Sequence, residues 1–223
     1  MGGIFSRRKK TYWVPAHRKL EDKLEDLGRW KSQEDWTGWQ IQNSLTDKVG
    51  DVLSKAGATA QVDLSFNGLG DDEMKPLAKV IKSTHCIKRL ILQNNHIHDS
   101  GAKILAAALT PEKGADDPLL EELDLRNNSI GAEGATALAG VLTSNPNLKK
   151  LHLHWNHIGN KGLEAFCMNT RPDFPRDFLI DLRYNGFEPE VNDVKWDQME
   201  QKLEKNKIDY SSDDPPFKGW PGD

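Results

Sequence analysis

The chain has 223 residues, 29% of them charged, and a mean hydropathy of −0.67, which allows one substantial core with small appendages but leaves it wetter than most enzymes of its size. No apolar run approaches the ~18 residues of a membrane span and none has the length of a secretory leader, so a cytosol-like compartment is predicted. Two cysteines, Cys86 and Cys167, supply no disulfide framework. The net charge of −4 hides an asymmetry, because residues 1–20 carry six Lys/Arg and no acid, leaving 24 basic against 34 acidic residues in the body.

The first element in chain order is a basic arm, residues 1–19, that opens MGGIFSRRKK. Gly2 with Ser6 fits the pattern M-G-x-x-x-[ST], and in this the arm resembles N-myristoylated proteins. The resemblance implies a lipid on Gly2. One myristoyl chain binds a membrane only marginally, with an association constant of about 10⁴ M⁻¹. A second signal follows at once in Arg7, Arg8, Lys9 and Lys10, each adding about 1 kcal/mol on an anionic leaflet. A cytoplasmic, peripheral membrane location is therefore expected. Two other readings stand beside it: a mitochondrial targeting segment, and a basic arm threading into an assembly such as a mitochondrial or axonemal complex of a cilium or flagellum.

Residues 20–60 read as an N-terminal helical cap. Leu20, Leu24 and Leu27 give one amphipathic helix, and Ile41, Leu45, Val49, Val52 and Leu53 give a second. Between them lies RWKSQEDWTGWQ, with Trp30, Trp36 and Trp39. The end of a repeat array must be sealed from water, which favours a cap; the alternative is a docking site for a partner.

From residue 61 to 187 the chain repeats. An apolar residue, any residue, Leu, two more and Asn recur as VDLSFN, LILQNN, LDLRNN, LHLHWN and IDLRYN, with the asparagines at Asn67, Asn95, Asn128, Asn156 and Asn185. The one long spacing, between Asn95 and Asn128, contains TPEKGADDP, which reads as a lengthened surface loop. Three residues before each asparagine stand Leu64, Leu92, Leu125, Leu153 and Leu182, and five before it Val62, Leu90, Leu123, Leu151 and Ile180. Apolar residues two apart face one side of a short strand. Leu77 and Ile81, Leu105 and Leu109, and Leu138 and Leu142, with Ala78, Ala106 and Ala139, then form a helix face. Each copy is predicted to be strand, turn, helix. In the fourth copy Phe166, Cys167 and Thr170 depart from this face, and Cys167 takes the slot of a small buried residue, as an inert thiol.

These five registered copies resemble the leucine-rich repeat family, in the 28–29-residue subclass typified by ribonuclease inhibitor. The resemblance implies an α/β solenoid, a short horseshoe arc with parallel strands on the concave side and helices on the convex side. One unit cannot bury its leucine face alone, so stacking supplies the core. The repeated asparagine has a structural reading: a buried amide donates to and accepts from the backbone of adjacent turns. Residues 188–208, with Trp196, Met199 and Leu203 at helical spacing, read as a C-terminal cap helix, and residues 209–223, ending SSDDPPFKGWPGD, as an extended arm.

The histidines of LHLHWNHIG invite a zinc reading. His152 and His154 share a strand face, but His157, His96 and His98 lie on the turn side of the asparagine, and no further ligand converges. No metal and no cofactor is expected. Phosphate-loop, zincin, nucleophile-elbow and dinucleotide motifs are absent, and no nucleic-acid partner is predicted. The acidic pairs Asp71-Asp72, Asp116-Asp117 and Asp213-Asp214 read as solvated surface.

The function that follows is a non-enzymatic protein-binding scaffold, a subunit of a larger assembly. Outward positions on the strands form the rows Asp63, Ile91, Asp124, His152, Asp181, then Ser65, Gln93, Arg126, His154, Arg183, then Phe66, Asn94, Asn127, Trp155, Tyr184. Aromatic and arginine residues dominate binding hot spots, so Phe66, Arg126, His154, Trp155, Arg183 and Tyr184 are the candidate contacts for a protein partner on the concave face. Related repeat arcs include Ran GTPase-activating proteins, and the enzyme-class alternative is GTPase activation through Arg126 or Arg183.

Overall fold

Each repeat contributes a strand of only three residues, because its leucines alternate with polar residues and the chain then turns sharply at the asparagine. The computed structural model describes residues 33–35, 61–84, 87–112, 120–169, 178–188, 194–206 and 208–210. Within these, strands β1 (Gln33–Asp35), β2 (Gln61–Asp63), β3 (Arg89–Ile91), β4 (Glu122–Asp124), β5 (Lys150–His152), β6 (Leu179–Asp181) and β7 (Ile208–Asp209) form one parallel sheet in sequential order. Helices α1 (Asp71–Thr84), α2 (Asp99–Leu109), α3 (Ala132–Ser144), α4 (Gly159–Asn169) and α5 (Val194–Lys205) alternate with them from β2 onward. The sheet register pairs equivalent residues of successive copies, for example Leu90 with Leu123 and Leu123 with Leu151. This is the α/β leucine-rich-repeat solenoid.

The core is the repeated leucine face. Leu64, Leu92, Leu125, Leu153 and Leu182 are wholly buried, as are Val62, Leu90, Leu123, Leu151 and Ile180 on the same strands. Burying each such side chain contributes about 1.5–3 kcal/mol, and every one packs against its counterpart in the next copy. The helix positions Leu77, Ile81, Leu105, Leu109, Leu138 and Leu142 close the other side. Phe166 and Cys167 fill the same core in the fourth copy, where the larger ring and the thiol replace leucine and alanine.

A ladder of asparagines crosses the stack. The Asn95 side chain donates from Nδ2 to Leu64 O and Leu92 O, while its Oδ1 accepts from the amides of Asn67 and Leu69 in the preceding copy. Asn128 repeats the pattern with Leu92 O, Leu125 O and the Ile97 amide, and Asn156 with Leu125 O, Leu153 O and the Ile130 amide. These buried amides satisfy backbone groups that the three-residue strands cannot reach.

The starts of α2 and α3 are capped from the copy before. The caps of α2 and α3, His98 and Gly131, make no side-chain cap of their own. Instead Asp71 Oδ1 accepts from the His98 amide at 2.8 Å, and Asp99 Oδ1 from Gly131 at 2.7 Å and Gly134 at 2.8 Å. Asn160, at the same register, accepts from the Glu188 amide and donates to its carbonyl. Asp71 is therefore a bonded cap, not part of a solvated acidic pair. Asp72 alone keeps that role, in an exposed pair with Lys75.

Two terminal features differ from expectation. Residues 33–35 lie in the tryptophan-rich segment read as a connection between cap helices, yet they form β1 and extend the sheet beyond β2. At the other end α5 buries Trp196, Met199 and Leu203, and the chain then returns to the sheet as β7 beside β6. The boundary drawn between residues 208 and 209 thus cuts a strand. The basic arm with Gly2, Arg7, Arg8, Lys9 and Lys10, the two cap helices, Cys86, the pair Asp116-Asp117 and residues 211–223 lie outside the described residues.

Candidate functional site

The turn after each strand fixes the concave rim. The residue before every repeat asparagine has positive φ: Phe66 57°, Asn94 56°, Asn127 50°, Trp155 57° and Tyr184 55°. Its amide prolongs the parallel ladder, as Phe66 N does to Gln93 O, Asn127 N to His154 O and Trp155 N to Arg183 O. Asparagine tolerates the left-handed region. Large aromatic residues do so at a cost of about 1–3 kcal/mol each, a strain that the surrounding ladder has to hold.

Three of the six candidate contacts form a single aromatic cluster. The rings of His154 and Trp155 meet edge to face with centroids 5.6 Å apart, and Trp155 lies 5.6 Å from Tyr184 at a tilt of 50°. Arg183 borders it on the same strand end as Tyr184. Phe66 is not part of this cluster: it is 47% exposed on the turn after β2, and three strand spacings, about 14 Å, separate β2 from β5.

The polar floor beneath the rings is more buried than the alternation of the strands suggested. Ile91, Asp124 and Asp181, all placed in an outward row, are buried, and Ser65 is as well. For Asp124 and Asp181 the reason is that an arginine two residues along the strand folds over each carboxylate. Arg126 donates from Nε and Nη2 to both oxygens of Asp124 at 2.5 to 2.9 Å, leaving the Asp124 side chain 1% exposed and its own 35%. Arg183 binds Asp181 in the same way at 2.9 Å and reaches Asp209 of β7 at 3.3 Å. His154 Nδ1 donates to Asp181 Oδ2 at 2.7 Å. A second set surrounds Glu122, with Arg89 at 2.8 Å, His152 at 3.4 Å and Lys150 at 3.7 Å.

These contacts move the ionisation of the groups involved. Burial works to raise the Asp181 carboxyl, but the hydrogen bonds from His154 and Arg183 outweigh it and hold the group well below the usual carboxylate range. Burial lowers the proton affinity of His152 against the opposing pull of Asp124 and Glu122. The bond to Asp124 raises Arg126 further, so its cation is permanent. Cys167 is pushed up by burial and behaves as a core group rather than a nucleophile.

Arg126 and Arg183, the two arginines of the GTPase-activation alternative, are each bound to a buried carboxylate on their own strand. His152 and His154 likewise serve the carboxylate network. Among the described residues no group of three or more His, Cys, Asp or Glu side chains is placed to hold a metal. The partners Asp181 and Asp209 of Arg183 were not singled out from sequence, although Asp-x-Arg on one strand face was a readable signal for the first of them.

A leucine-rich repeat family model matches residues 84–106, 117–139 and 144–167. Mouse ribonuclease inhibitor is 33% identical over 107 residues, covering 48% of this chain and 23% of that protein. The rat NACHT, LRR and PYD domains-containing protein 3 is 29% identical over 188 residues, covering 70% of this chain and 18% of that protein. The chain therefore spans less than a quarter of these curated relatives. Among solved structures, the leiomodin-1 actin-binding site 2 aligns with 85% of this chain and 91% of that one at 15% identity and a TM-score of 0.46. The repeats, their register, the family model and the ribonuclease inhibitor match support a leucine-rich repeat protein of the ribonuclease-inhibitor-like subclass.

Proposed function

We propose that this protein is a non-enzymatic scaffold that holds a protein partner against the C-terminal half of its concave face, as a subunit of a larger assembly. The observation that carries the reading is the partly exposed Trp155–Tyr184 pair, held in left-handed turns where the neighbouring copies use the cheaper Asn94 and Asn127. A large aromatic residue that strains its turn at the rim of the face is retained for what it contacts. The mouse relative is named for inhibiting ribonuclease, which is itself a protein, and a binding role is in keeping with that name. Under the same reading, Gly2 carries a myristoyl group, and Arg7, Arg8, Lys9 and Lys10 add attraction to an anionic leaflet, tethering the scaffold at a membrane on its cytoplasmic side.

The test uses the residues that the repeat itself prefers. Trp155→Asn combined with Tyr184→Asn should leave the melting temperature equal to or above that of the wild type, while partners recovered from native tissue by the tagged protein and identified by mass spectrometry should be lost. Partner recovery unchanged in the double variant would move the interface to the convex helices or the termini. For the tether, Gly2→Ala should abolish uptake of a labelled myristate analogue and shift the protein from membrane to soluble fractions. Equal partitioning with no label in either form would replace the lipid anchor by an organellar or assembly arm.

A further inference from the structure

The starts of the three central strands carry charges of alternating sign. Register pairs Arg89 of β3 with Glu122 of β4, and Glu122 with Lys150 of β5; the residues before them are Lys88, Glu121 and Lys149. Each carboxylate therefore sits between bases from both neighbouring copies. Glu121 meets Lys88 at 3.5 Å and Lys149 at 3.4 Å, and Glu122 meets Arg89 at 2.8 Å and Lys150 at 3.7 Å. Four cations share two carboxylates, which leaves a surplus of two positive charges among the described residues. His152 also touches Glu122, but burial lowers its proton affinity, so it adds no charge at neutral pH. The side chains of the four bases are 39% to 58% exposed and that of Glu122 is 11% exposed, so the surplus faces solvent.

We propose that this edge docks a short acidic segment of a protein partner, one that places an apolar side chain beside its carboxylates. The surface is separate from the aromatic rim, which lies beyond the opposite ends of the same strands. Beyond residue 20 the chain has 34 acidic against 24 basic residues, so a positive surplus here is a local exception that draws carboxylates to one place. Lys88, Lys149 and Lys150 each make a single ion pair, and each ammonium keeps further donors for an incoming carboxylate. The apolar component is Leu179. It is the register partner of Lys150 on β6, is 36% exposed, and stands where the earlier copies have Gln61, Arg89, Glu122 and Lys150. From β3 to β6 the surface spans three strand spacings, about 14 Å, which about four extended residues cover. A long polyanion such as a nucleic acid would run past this span onto a body of net negative charge, which favours a short segment.

The test is fluorescence anisotropy of a labelled peptide of glutamates and one leucine, titrated with the full chain at low and at high ionic strength. Saturable binding that weakens with salt is expected, and none for the same peptide with glutamines in place of its glutamates. Lys88→Gln combined with Lys149→Gln removes both surplus charges and should weaken binding about tenfold. Glu121, the partner of both lysines, is 40% exposed and remains hydrated, so this variant should keep the wild-type melting temperature. Glu121→Gln should tighten binding about threefold, a gain that a merely structural role does not produce. Leu179→Thr should weaken it about threefold and leave a leucine-free acidic peptide unaffected. No saturable binding at low ionic strength, or an affinity that the lysine and Glu121 substitutions leave unchanged, overturns the proposal; equal affinity for peptides with and without leucine overturns its apolar half. Tighter binding of a single-stranded oligonucleotide of equal charge would make the edge a polyanion site and overturn it too. Binding seen only after residues 211–223 are deleted would make this chain's own SSDD sequence the occupant in place of a partner. Trp155→Asn with Tyr184→Asn should bind the peptide as the wild type does, so the aromatic-rim reading and this one fail independently.

Discussion

Asp99 Oδ1 accepts hydrogen bonds from the amides of both Gly131 and Gly134, so the first residue of α2 caps the start of α3 in the following repeat. The arrangement turns a local helix signal into a link between copies. Asp99→Ala removes the acceptor and leaves two amides at the α3 terminus without it, at a cost of about 0.5–2 kcal/mol. Asp99→Asn keeps the carbonyl oxygen and should recover most of that loss. Thermal unfolding of the two variants checks the point, and equal melting temperatures for wild type and Asp99→Ala would remove the cross-repeat cap from the stability account.

Glycines on α3 should respond in opposite directions. A Cβ at Gly134 would lie 2.9 Å from both Ala102 Cβ and Ile130 Cγ2 and 2.7 Å from Asp99 Oδ1, because α2 and α3 approach closely there. Gly134→Ala should therefore destabilise by about 1–3 kcal/mol through overpacking. Gly140, on the same helix, would meet nothing within 4 Å. Gly140→Ala should stabilise by about 0.5–1 kcal/mol, since alanine loses less backbone entropy in a helix. Denaturant titrations that moved both midpoints the same way would contradict the packing drawn here.

The difference between these two glycines was not visible in the sequence, which shows only small residues on a helix. Periodicity did expose what repeats: the leucines from Leu64 to Leu182, the asparagine ladder, and a helix after each strand, because each depends on one-dimensional spacing. The left-handed turns were hidden because Phe66, Trp155 and Tyr184 carry no conformational mark as glycine would. The sheet constrains those turns, not their own preferences. β1 was hidden because Gln-Glu-Asp has no apolar alternation and gains its place by pairing with β2. The cap at Asp71 and Asp99 was legible in part, since both stand four residues after a repeat asparagine, but its target lies a full repeat away. The aromatic cluster at Trp155 was anticipated as residue types; the burial of Asp124 and Asp181 was not, because it arises from arginines folding back across the strand.

Asn128→Ala should cost about 1–3 kcal/mol, and one group accounts for most of it. The carbonyls of Leu92 and Leu125 each receive a second amide, from Asn95 and Asn156, so they remain bonded when Asn128 is truncated. The amide of Ile97 has Asn128 Oδ1 as its side-chain acceptor and is left buried. Hydrogen exchange should accordingly accelerate most at Ile97. An exposed control, Glu133→Ala, breaks only a surface pair with Lys103 and should melt close to the wild type.

The carboxylate network should give the fold a characteristic acid sensitivity. Native Asp181 holds its proton less tightly than the unfolded chain does, so its contribution is complete above the unfolded value of about 4 and is lost as pH falls from there towards the lower native value. Native His152 is also a weaker base than in the unfolded chain, so its share is complete above the unfolded value of about 6.5 and declines below it. Both effects have the same sign in different windows. Asp181→Asn should be less stable than the wild type at neutral pH, with a gap in melting temperature that narrows as the wild type is taken below about pH 4. His152→Gln should instead flatten the slope just below about pH 6.5 and leave the more acidic limb intact. A gap for Asp181→Asn that stays constant from neutral to strongly acidic pH would mean that the bonds from His154 and Arg183 do not favour its ionised form in the native state.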